Sequence, residues 1–266
     1  MVCTGCCGMP ESRAIVCGSG KSGVFMDREG IRLNKYLAQC GVCSRRDADR
    51  LTGAGRVSLN GRCADKGSRV YPGDLVAVDG KVLAGRRETV VLAYYKPVGV
   101  TCTERDRYAD RIVTKEIGYP VRVTYAGRLD KDSEGLLLLS NDGDLIQRMM
   151  KGSGGHEKEY AVRIRQEVTQ AFLDRMAAGI MLPELHVKTR PCRVIKKGND
   201  TFHIILTQGL NRQIRRMCRA LSVDVVSLKR IRVMNITLDG LRPGAYRIVQ
   251  GEELKTLHRE AETTRT

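Results

Sequence analysis

Apolar residues recur at helical spacing near the start of the patterned part of the chain. In the stretch IRLNKYLAQCGV, residues Tyr36, Leu37 and Cys40 lie three, four and seven positions after Leu33, which predicts a short helix. Ser44 stands directly before a second helical stretch, at the position where a serine caps the first turn. The pattern therefore predicts two short helices in succession.

Alternation replaces helical spacing over the next part of the chain. The stretch RVSLNGRCADKGSRVYPGDLVAVDGK alternates apolar and polar positions, and Asn-Gly, Pro-Gly and Asp-Gly pairs interrupt it at 60–61, 72–73 and 79–80. Such dipeptides between alternating runs indicate tight turns. We expect several short strands here, followed by a connector over residues 81–90.

A second unit begins with the apolar run VVLAYYKPVGV, which predicts a strand that ends at a Lys-Pro-x-Gly turn. Further on, we predict strands over 136–140, 160–165 and 202–207, helices over 145–150, 170–178 and 211–221, and an extended segment over 225–237. Strands and helices do not alternate regularly, and no internal repeat is present. The order favours an α+β fold over a doubly wound sheet.

The first 28 residues lack any helical or strand period and are rich in Gly, Ser and Cys. We expect this extension to be disordered. Its CTGCC stretch lacks the second ligand pair of a structural zinc site, and the four histidines of the chain show no paired ligand spacing. The ten cysteines stand mostly alone in apolar patterns. We therefore predict reduced thiols, no metal and no cofactor.

The net charge of the chain indicates the kind of partner it binds. The chain has 46 basic and 30 acidic residues, a net charge of +16, and an excess of this size favours a polyanionic partner over a merely soluble basic surface. No stretch approaches the roughly 20 apolar residues that cross a bilayer, and no signal-peptide segment is present at the N-terminus. We expect a cytoplasmic protein without a membrane partner.

The stretch AGRLDKDSEGLLLLSNDG places charged residues directly before four leucines. The apolar run anchors the segment, while the charged loop before it must lie at the surface or line a cleft. Asp130 in this loop could be a turn or capping residue. It could equally supply a carboxylate to a site at the end of the strand.

The first unit resembles the S4 RNA-binding domain. RLNKYLA, SRRDAD, the glycine turn after the second helix and V-x-PGD-x-V stand in the order of that domain. Between residues 31 and 80 there are nine basic and five acidic residues. The resemblance implies RNA contacts, mostly to phosphate. They would come from Arg32, Lys35, Arg45, Arg46 and Asn60, although these residues could also form a solvated helix face.

The second unit resembles the RsuA-like bacterial ribosomal RNA pseudouridine synthases. GRLDKDSEGLLLLSNDG matches their signature, and KPVG, EKEY, QGLNRQIRRM and RIRVMNITLDG follow in the family's order. The residues of these motifs are most similar to those of the RluF branch, which acts on large-subunit (23S) RNA. The resemblance implies a catalytic domain built on a mixed, mainly antiparallel sheet flanked by helices. It also implies isomerisation of uridine to pseudouridine.

The resemblance also assigns roles to residues. It makes Asp130 the catalytic carboxylate, Arg215 the cation that pairs with it, and Tyr160 the ring that packs against a flipped uracil. Leu228 matches the aliphatic residue that closes the pocket. The RNA contacts of this unit would come from Arg128, Arg212 and Arg216. Arg215 could also contact phosphate, like these arginines, instead of pairing with Asp130. Asp130 could act as a nucleophile on the sugar or base, or remove a sugar proton.

These interpretations divide the chain into a Cys/Gly-rich extension (1–28), an S4 domain (29–82), a catalytic domain (90–250) and a C-terminal helix and tail (251–266). We expect a monomer that acts on ribosomal RNA or on a ribosomal precursor particle. Two alternatives are a non-catalytic S4-type RNA-binding factor and an Asp-dependent nucleoside hydrolase. The sequence does not specify which uridine is modified.

Overall fold

The computed structural model describes residues 30–85, 87–103 and 111–263. The predicted disorder of residues 1–28 lies outside the described residues. None of the described helices is long and apolar enough to cross a membrane.

The first unit contains the two predicted helices and a small sheet. Ser44 caps the second helix as predicted, because its Oγ accepts a 3.1 Å hydrogen bond from the backbone N–H of Asp47. The elements are β1 (Ile31–Arg32), α1 (Leu33–Gln39), α2 (Arg45–Gly53), β2 (Val57–Leu59), β3 (Arg62–Cys63), β4 (Arg69–Val70), β5 (Val76–Val78) and β6 (Lys81–Val82). Leu33 and Leu37 of α1 pack with Val57 and Val76 in the buried core of this unit.

The second unit contains five helices and eleven strands within the described residues. Its helices are α3 (Val113–Ile117), α4 (Gly143–Met150), α5 (Gln170–Ala177), α6 (Gln213–Ala220) and α7 (Gly251–Glu262). Its strands are β7 (Val91–Lys96), β8 (Thr124–Tyr125), β9 (Glu134–Ser140), β10 (Lys158–Ile164), β11 (Met181–Leu182), β12 (Val187–Lys188), β13 (Arg193–Lys196), β14 (Thr201–Leu206), β15 (Val225–Val233), β16 (Ile236–Thr237) and β17 (Tyr246–Ile248).

The main sheet has the strand order β13-β14-β10-β15-β9-β7-β17, with β16 beside β15 and β8 beside β9. Its neighbours are antiparallel except β9 and β15, which run parallel. The predicted α+β class and the mixed, mainly antiparallel sheet are therefore confirmed. The segment 225–237 is not one extended strand, because the chain turns at Met234 and pairs β16 back onto β15.

The leucine run lies in β9, near the centre of this sheet, and both faces of the strand are buried. Leu136 and Leu138 pack under α4 and α7, while Leu137 and Leu139 pack on the other face with residues of α3. Each of the four is at most 1% exposed, and burial of a leucine contributes roughly 1.5–3 kcal/mol. This burial fixes the position of β9, and hence of the loop that precedes it.

Gly135 lies where β9 meets β15 in parallel. Its φ of +109° is outside the range that side chains favour, and an added Cβ would lie 2.2 Å from the carbonyl oxygen of Arg230. The close approach of the two strands therefore depends on a residue without a side chain.

We predict that Gly135→Ala destabilises the protein by about 2–4 kcal/mol, because the new methyl group meets backbone atoms and the positive φ is strained. Chemical denaturation measures this change. Gly143→Ala is the matched control, since an added Cβ at Gly143 meets no atom within 4 Å. Equal stability of the Gly135→Ala variant and the wild type would contradict this explanation of the β9–β15 junction.

Candidate active site

A cleft of 320 Å³ opens at the mouth of β9. One wall is the loop before β9, the floor is formed by residues of β10 and β15, and the other wall is the segment before α6. The residues that line it are Gly127, Arg128, Leu129, Asp130, Ser133, Met150, Lys158, Tyr160, Leu206, Gln208, Gly209, Leu210, Asn211, Arg212, Gln213, Ile214, Leu228 and Arg230. The cleft thus brings together Asp130, Tyr160, Leu228, Arg128 and Arg212 of the predicted site.

The loop that carries Asp130 is held by the Lys-Pro-x-Gly turn after β7. Lys96 is fully buried, and its Nζ donates to the carbonyl oxygen of Ser133 at 2.7 Å and to that of Pro97 at 3.0 Å. The backbone N–H of Gly99 donates to the carbonyl oxygen of Lys131 at 2.8 Å. Burial lowers the pKa of Lys96 below its ordinary value, and the carboxylates of Asp132 and Asp130 oppose this shift.

Two arginines hold the same loop from the side of α6. Arg212 donates two hydrogen bonds to the carboxylate of Asp132, at 3.1 and 2.8 Å. Arg215 donates from Nη2 to the backbone carbonyl oxygen of Asp132 at 2.9 Å. The hydrogen bonds from Arg212 hold the pKa of the Asp132 carboxyl below its ordinary value. A paired guanidinium fixes the orientation of a carboxylate as well as its charge.

The cation beside Asp130 is Arg212, whose Nη1 lies 3.6 Å from Oδ2 of Asp130. The pairing of Arg215 with Asp130 implied by the sequence is therefore corrected, because Arg215 contacts Asp132 and Ser133 instead. Arg212 precedes α6 with a φ of 50°, which places its side chain at the rim of the cleft. Arg215 is one turn further along the helix and reaches the base of the loop.

Asp130 faces the cleft. Its side chain is 35% exposed, and its backbone carbonyl oxygen accepts a 3.1 Å hydrogen bond from the N–H of Ser133 that closes the turn. The carboxylate is thus accessible while the backbone behind it is fixed. An accessible carboxylate on a fixed backbone suits a reacting group, and it is more than a turn residue requires.

Tyr160 and Leu228 come from neighbouring antiparallel strands, β10 and β15, and both line the cleft. Tyr160 is half-buried and packs against the apolar residues of both adjoining cores. Leu228 is buried at the floor. An aromatic ring and an aliphatic side chain so placed form an apolar seat for a planar base.

Sequence reasoning missed two cationic residues of the cleft, Lys158 and Arg230. Lys158 stands two positions before Tyr160 on β10 and therefore shares its face of the strand. Arg230 is 2% exposed and donates from Nε to the carbonyl oxygen of Leu136 at 2.7 Å. The spacing of Lys158 from Tyr160 in EKEY was the signal that could have found the first of them.

Arg128 is exposed at the rim of the cleft. Arg216 does not line it, because this side chain points to the other side of α6, where it pairs with Glu184 and donates to the carbonyl oxygen of Asn211. The placement gives Arg216 a protein partner, and its contact with RNA stays a prediction.

The S4-like residues fall into two groups. Arg32, Arg45 and Arg46 are exposed on β1 and α2, and Arg45 also donates a long, 3.5 Å hydrogen bond to Oδ1 of Asn34. Lys35 and Asn60 have protein partners: Lys35 pairs with Asp144 of α4 at 2.7 Å, and Asn60 donates to Asp74 and accepts from the N–H of Leu75. These contacts give Lys35 a part in joining the two units and Asn60 a part in a turn.

Known proteins resemble both units of the chain. Residues 90–220 match the family model described as RNA pseudouridylate synthase, and residues 31–76 match the S4 domain. The chain is 42% identical over 236 residues to the dual-specificity RNA pseudouridine synthase RluF of Escherichia coli, covering 88% of this chain and 80% of that protein. The chain belongs to the RNA pseudouridine synthases.

Other members of this family are also similar. The Pseudomonas aeruginosa ribosomal large subunit pseudouridine synthase B is 36% identical, covering 87% of this chain and 62% of that protein. A crystal structure of a pseudouridylate synthase, 26% identical, superposes with a TM-score of 0.63 and covers 85% of this chain and 99% of its own. The family and the fold implied by the sequence motifs are thus confirmed.

We predict that the amine of Lys158 titrates near pH 8. Burial, reinforced by the positive charge of Arg230, lowers its pKa from 10.5 to about 8. Because the unfolded chain binds more protons at this group between those values, its contribution makes the protein more stable as pH rises through that window.

Nuclear magnetic resonance of isotope-labelled lysine side chains measures this titration, and a Lys158→Arg variant assigns the signal. Lys229 is an internal comparison, because its contacts with Tyr95 and Glu134 raise its pKa. A Lys158 signal that titrates together with exposed lysines would show that the amine is well hydrated.

Proposed function

We propose that this RNA pseudouridine synthase converts a uridine of large-subunit ribosomal RNA to pseudouridine, with Asp130 as the catalytic carboxylate. The observation that carries the proposal is the accessible carboxylate of Asp130, which faces Tyr160 and Leu228 across one cleft and lies 3.6 Å from Arg212. The names of the relatives support the substrate class, since one acts on the ribosomal large subunit.

The proposed reaction can proceed without a cofactor. The C1′–N1 glycosidic bond of uridine breaks, the uracil turns, and C5 joins C1′, so that substrate and product are isomers. A carboxylate such as Asp130 can add to the sugar or base, or remove a sugar proton and stabilise positive charge near C1′. Among the described residues, no cluster of three or more His, Cys, Asp or Glu side chains could hold a metal ion.

Arg212 places a positive charge beside the carboxylate of Asp130. At 3.6 Å the guanidinium and the carboxylate attract each other electrostatically. Its two hydrogen bonds to Asp132 fix the guanidinium itself. The carboxylate of Asp130 therefore meets the substrate beside a positive charge that is held in place.

The target uridine must leave its stack to reach Asp130. Flipping a base costs a few kcal/mol, which contacts elsewhere must offset. The exposed guanidinium of Arg128 at the rim can occupy the vacated space or hold a neighbouring phosphate. The basic helix face with Arg45 and Arg46 supplies phosphate contacts at a second place.

The proposed substrate is ribosomal RNA, either free or within a precursor particle. We infer that the protein works in the cytoplasm, where ribosomal RNA is assembled into particles. Its monomeric state stays a prediction.

We predict that Asp130→Asn abolishes pseudouridine formation and leaves RNA binding within about a few fold, because the amide keeps the shape of the side chain and removes its charge. Carbodiimide mapping of the product and a filter-binding assay measure the two effects. Asp224→Asn, an exposed change elsewhere on the surface, is the control.

Analysis of the reaction products separates the alternatives. A nucleoside hydrolase would release free uracil, whereas a synthase leaves the mass of the RNA unchanged. An RNA-binding factor would give neither product. Normal product from Asp130→Asn would remove this carboxylate from the mechanism.

We also predict that Arg45→Glu combined with Arg46→Glu weakens RNA binding and makes its salt dependence shallower. The log–log slope should fall by about 0.7–0.9 for each RNA phosphate that the variant no longer neutralises. The charge-matched control is Arg175→Glu combined with Arg193→Glu, on α5 and β13. A salt slope identical to that of the wild type would exclude this helix face as a phosphate-binding surface.

A further inference from the structure

Lys158 lies at the floor of the cleft beside Tyr160. The two residues alternate with Glu159 on β10, so their side chains leave the same face of the strand, and both line the cleft. Leu206 of β14 stands opposite Lys158 in the sheet and lines the same floor. The side chain of Lys158 therefore lines the same cleft in which a flipped base would contact Tyr160.

The positive charge of Lys158 has no anionic partner in the part of the chain that the structure describes. Its Nζ donates a hydrogen bond to the carbonyl oxygen of His156 at 3.3 Å. The charged side chain that affects its pKa is another cation, Arg230. Arg232 of the same sheet, by contrast, forms ion pairs with Glu157 and Glu159.

A partly buried cation without an anion destabilises a folded protein, because it gives up hydration and forms no ion pair in return. Arg230 makes the position still less favourable for a positive charge. Such an arrangement becomes favourable when negative charge arrives from a ligand. The chemistry of the proposed reaction supplies that charge on the base.

Negative charge develops on the uracil in every mechanism that is open to Asp130. When the C1′–N1 bond breaks, its electron pair leaves with the uracil and spreads over N1 and the two carbonyl oxygens. When a carboxylate adds to the base instead, the electron pair of the ring double bond moves toward a carbonyl oxygen. Later, C5 bonds to C1′ and loses its proton, while N1 gains one.

We propose that Lys158 is a further catalytic residue, which donates a hydrogen bond from Nζ to a carbonyl oxygen of the uracil and stabilises the negative charge that develops there. This inference rests on the proposed function. A preorganised donor in a site poor in water stabilises developing charge more than the ground state. The apolar seat of Tyr160 and Leu228 positions the ring for this contact.

The first test compares single-turnover rates of Lys158→Met and Lys158→Arg with the wild type on a short target RNA. Lys158→Met is expected to lower the rate by about 10² to 10³-fold, the usual effect of removing one such donor, and to change RNA affinity only slightly. Lys158→Arg keeps a charged donor and is expected to retain more activity. Lys188→Met, on the exposed strand β12, controls for removal of a lysine.

The second test asks whether the lysine contacts the base. Target RNAs carry 2-thiouridine or 4-thiouridine at the modified position, since sulfur is a weaker hydrogen-bond acceptor than oxygen. If Nζ binds one of the two oxygens, replacing that oxygen slows the wild type and has less effect on Lys158→Met. Such non-additivity is the signature of direct contact.

Two results would overturn the proposal: a wild-type rate for Lys158→Met, or a slow variant whose rate reduction adds fully with that of both thio substitutions. Thermal unfolding checks the fold, and removal of an unpaired cation should leave Tm unchanged or higher. Lys158→Gln repeats the cycle if Lys158→Met lowers Tm. Asp130→Asn keeps the inferences apart, because an inactive Asp130→Asn beside a fully active Lys158→Met rejects only the role of Lys158.

Discussion

The candidate site depends on the way three cations fasten the loop before β9. Lys96 holds the carbonyl oxygen of Ser133 from beneath, while Arg212 and Arg215 hold the carboxylate and the carbonyl oxygen of Asp132 from the side of α6. A loop of mostly charged residues would otherwise move freely at the surface. Fastened in this way, it presents one carboxylate to the cleft and uses the other as an anchor.

The buried leucines of β9 explain why the charged residues stand directly before them. A strand covered on both faces is among the most rigid parts of a domain, so a group one turn away from it keeps its position. The parallel contact of β9 with β15 brings Arg230 and Leu228 to the same place as Asp130. Core packing and the site are therefore one arrangement, in which the end of the core forms the floor of the cleft.

Sequence patterns predicted the parts of this structure that local chemistry determines. The helical spacing at Leu33 and Leu37, the cap at Ser44 and the leucine strand depend on neighbours in the chain. The partner of Asp130 does not: Arg212 and Arg215 lie one helical turn apart in one motif, and only the path of the chain before α6 decides which one reaches the carboxylate. The sequence likewise predicts an RNA contact for Lys35 and gives no sign of its contact with Asp144, which requires the second unit to be in place.

The central claim is that this chain isomerises a uridine of ribosomal RNA. The most direct measurement is carbodiimide mapping of pseudouridines in ribosomal RNA from cells that contain the protein and from cells that lack its gene. We expect at least one marked uridine in the large-subunit RNA to disappear with the gene and to return when the wild-type chain is supplied. An identical set of marked uridines in both kinds of cell would contradict the claim.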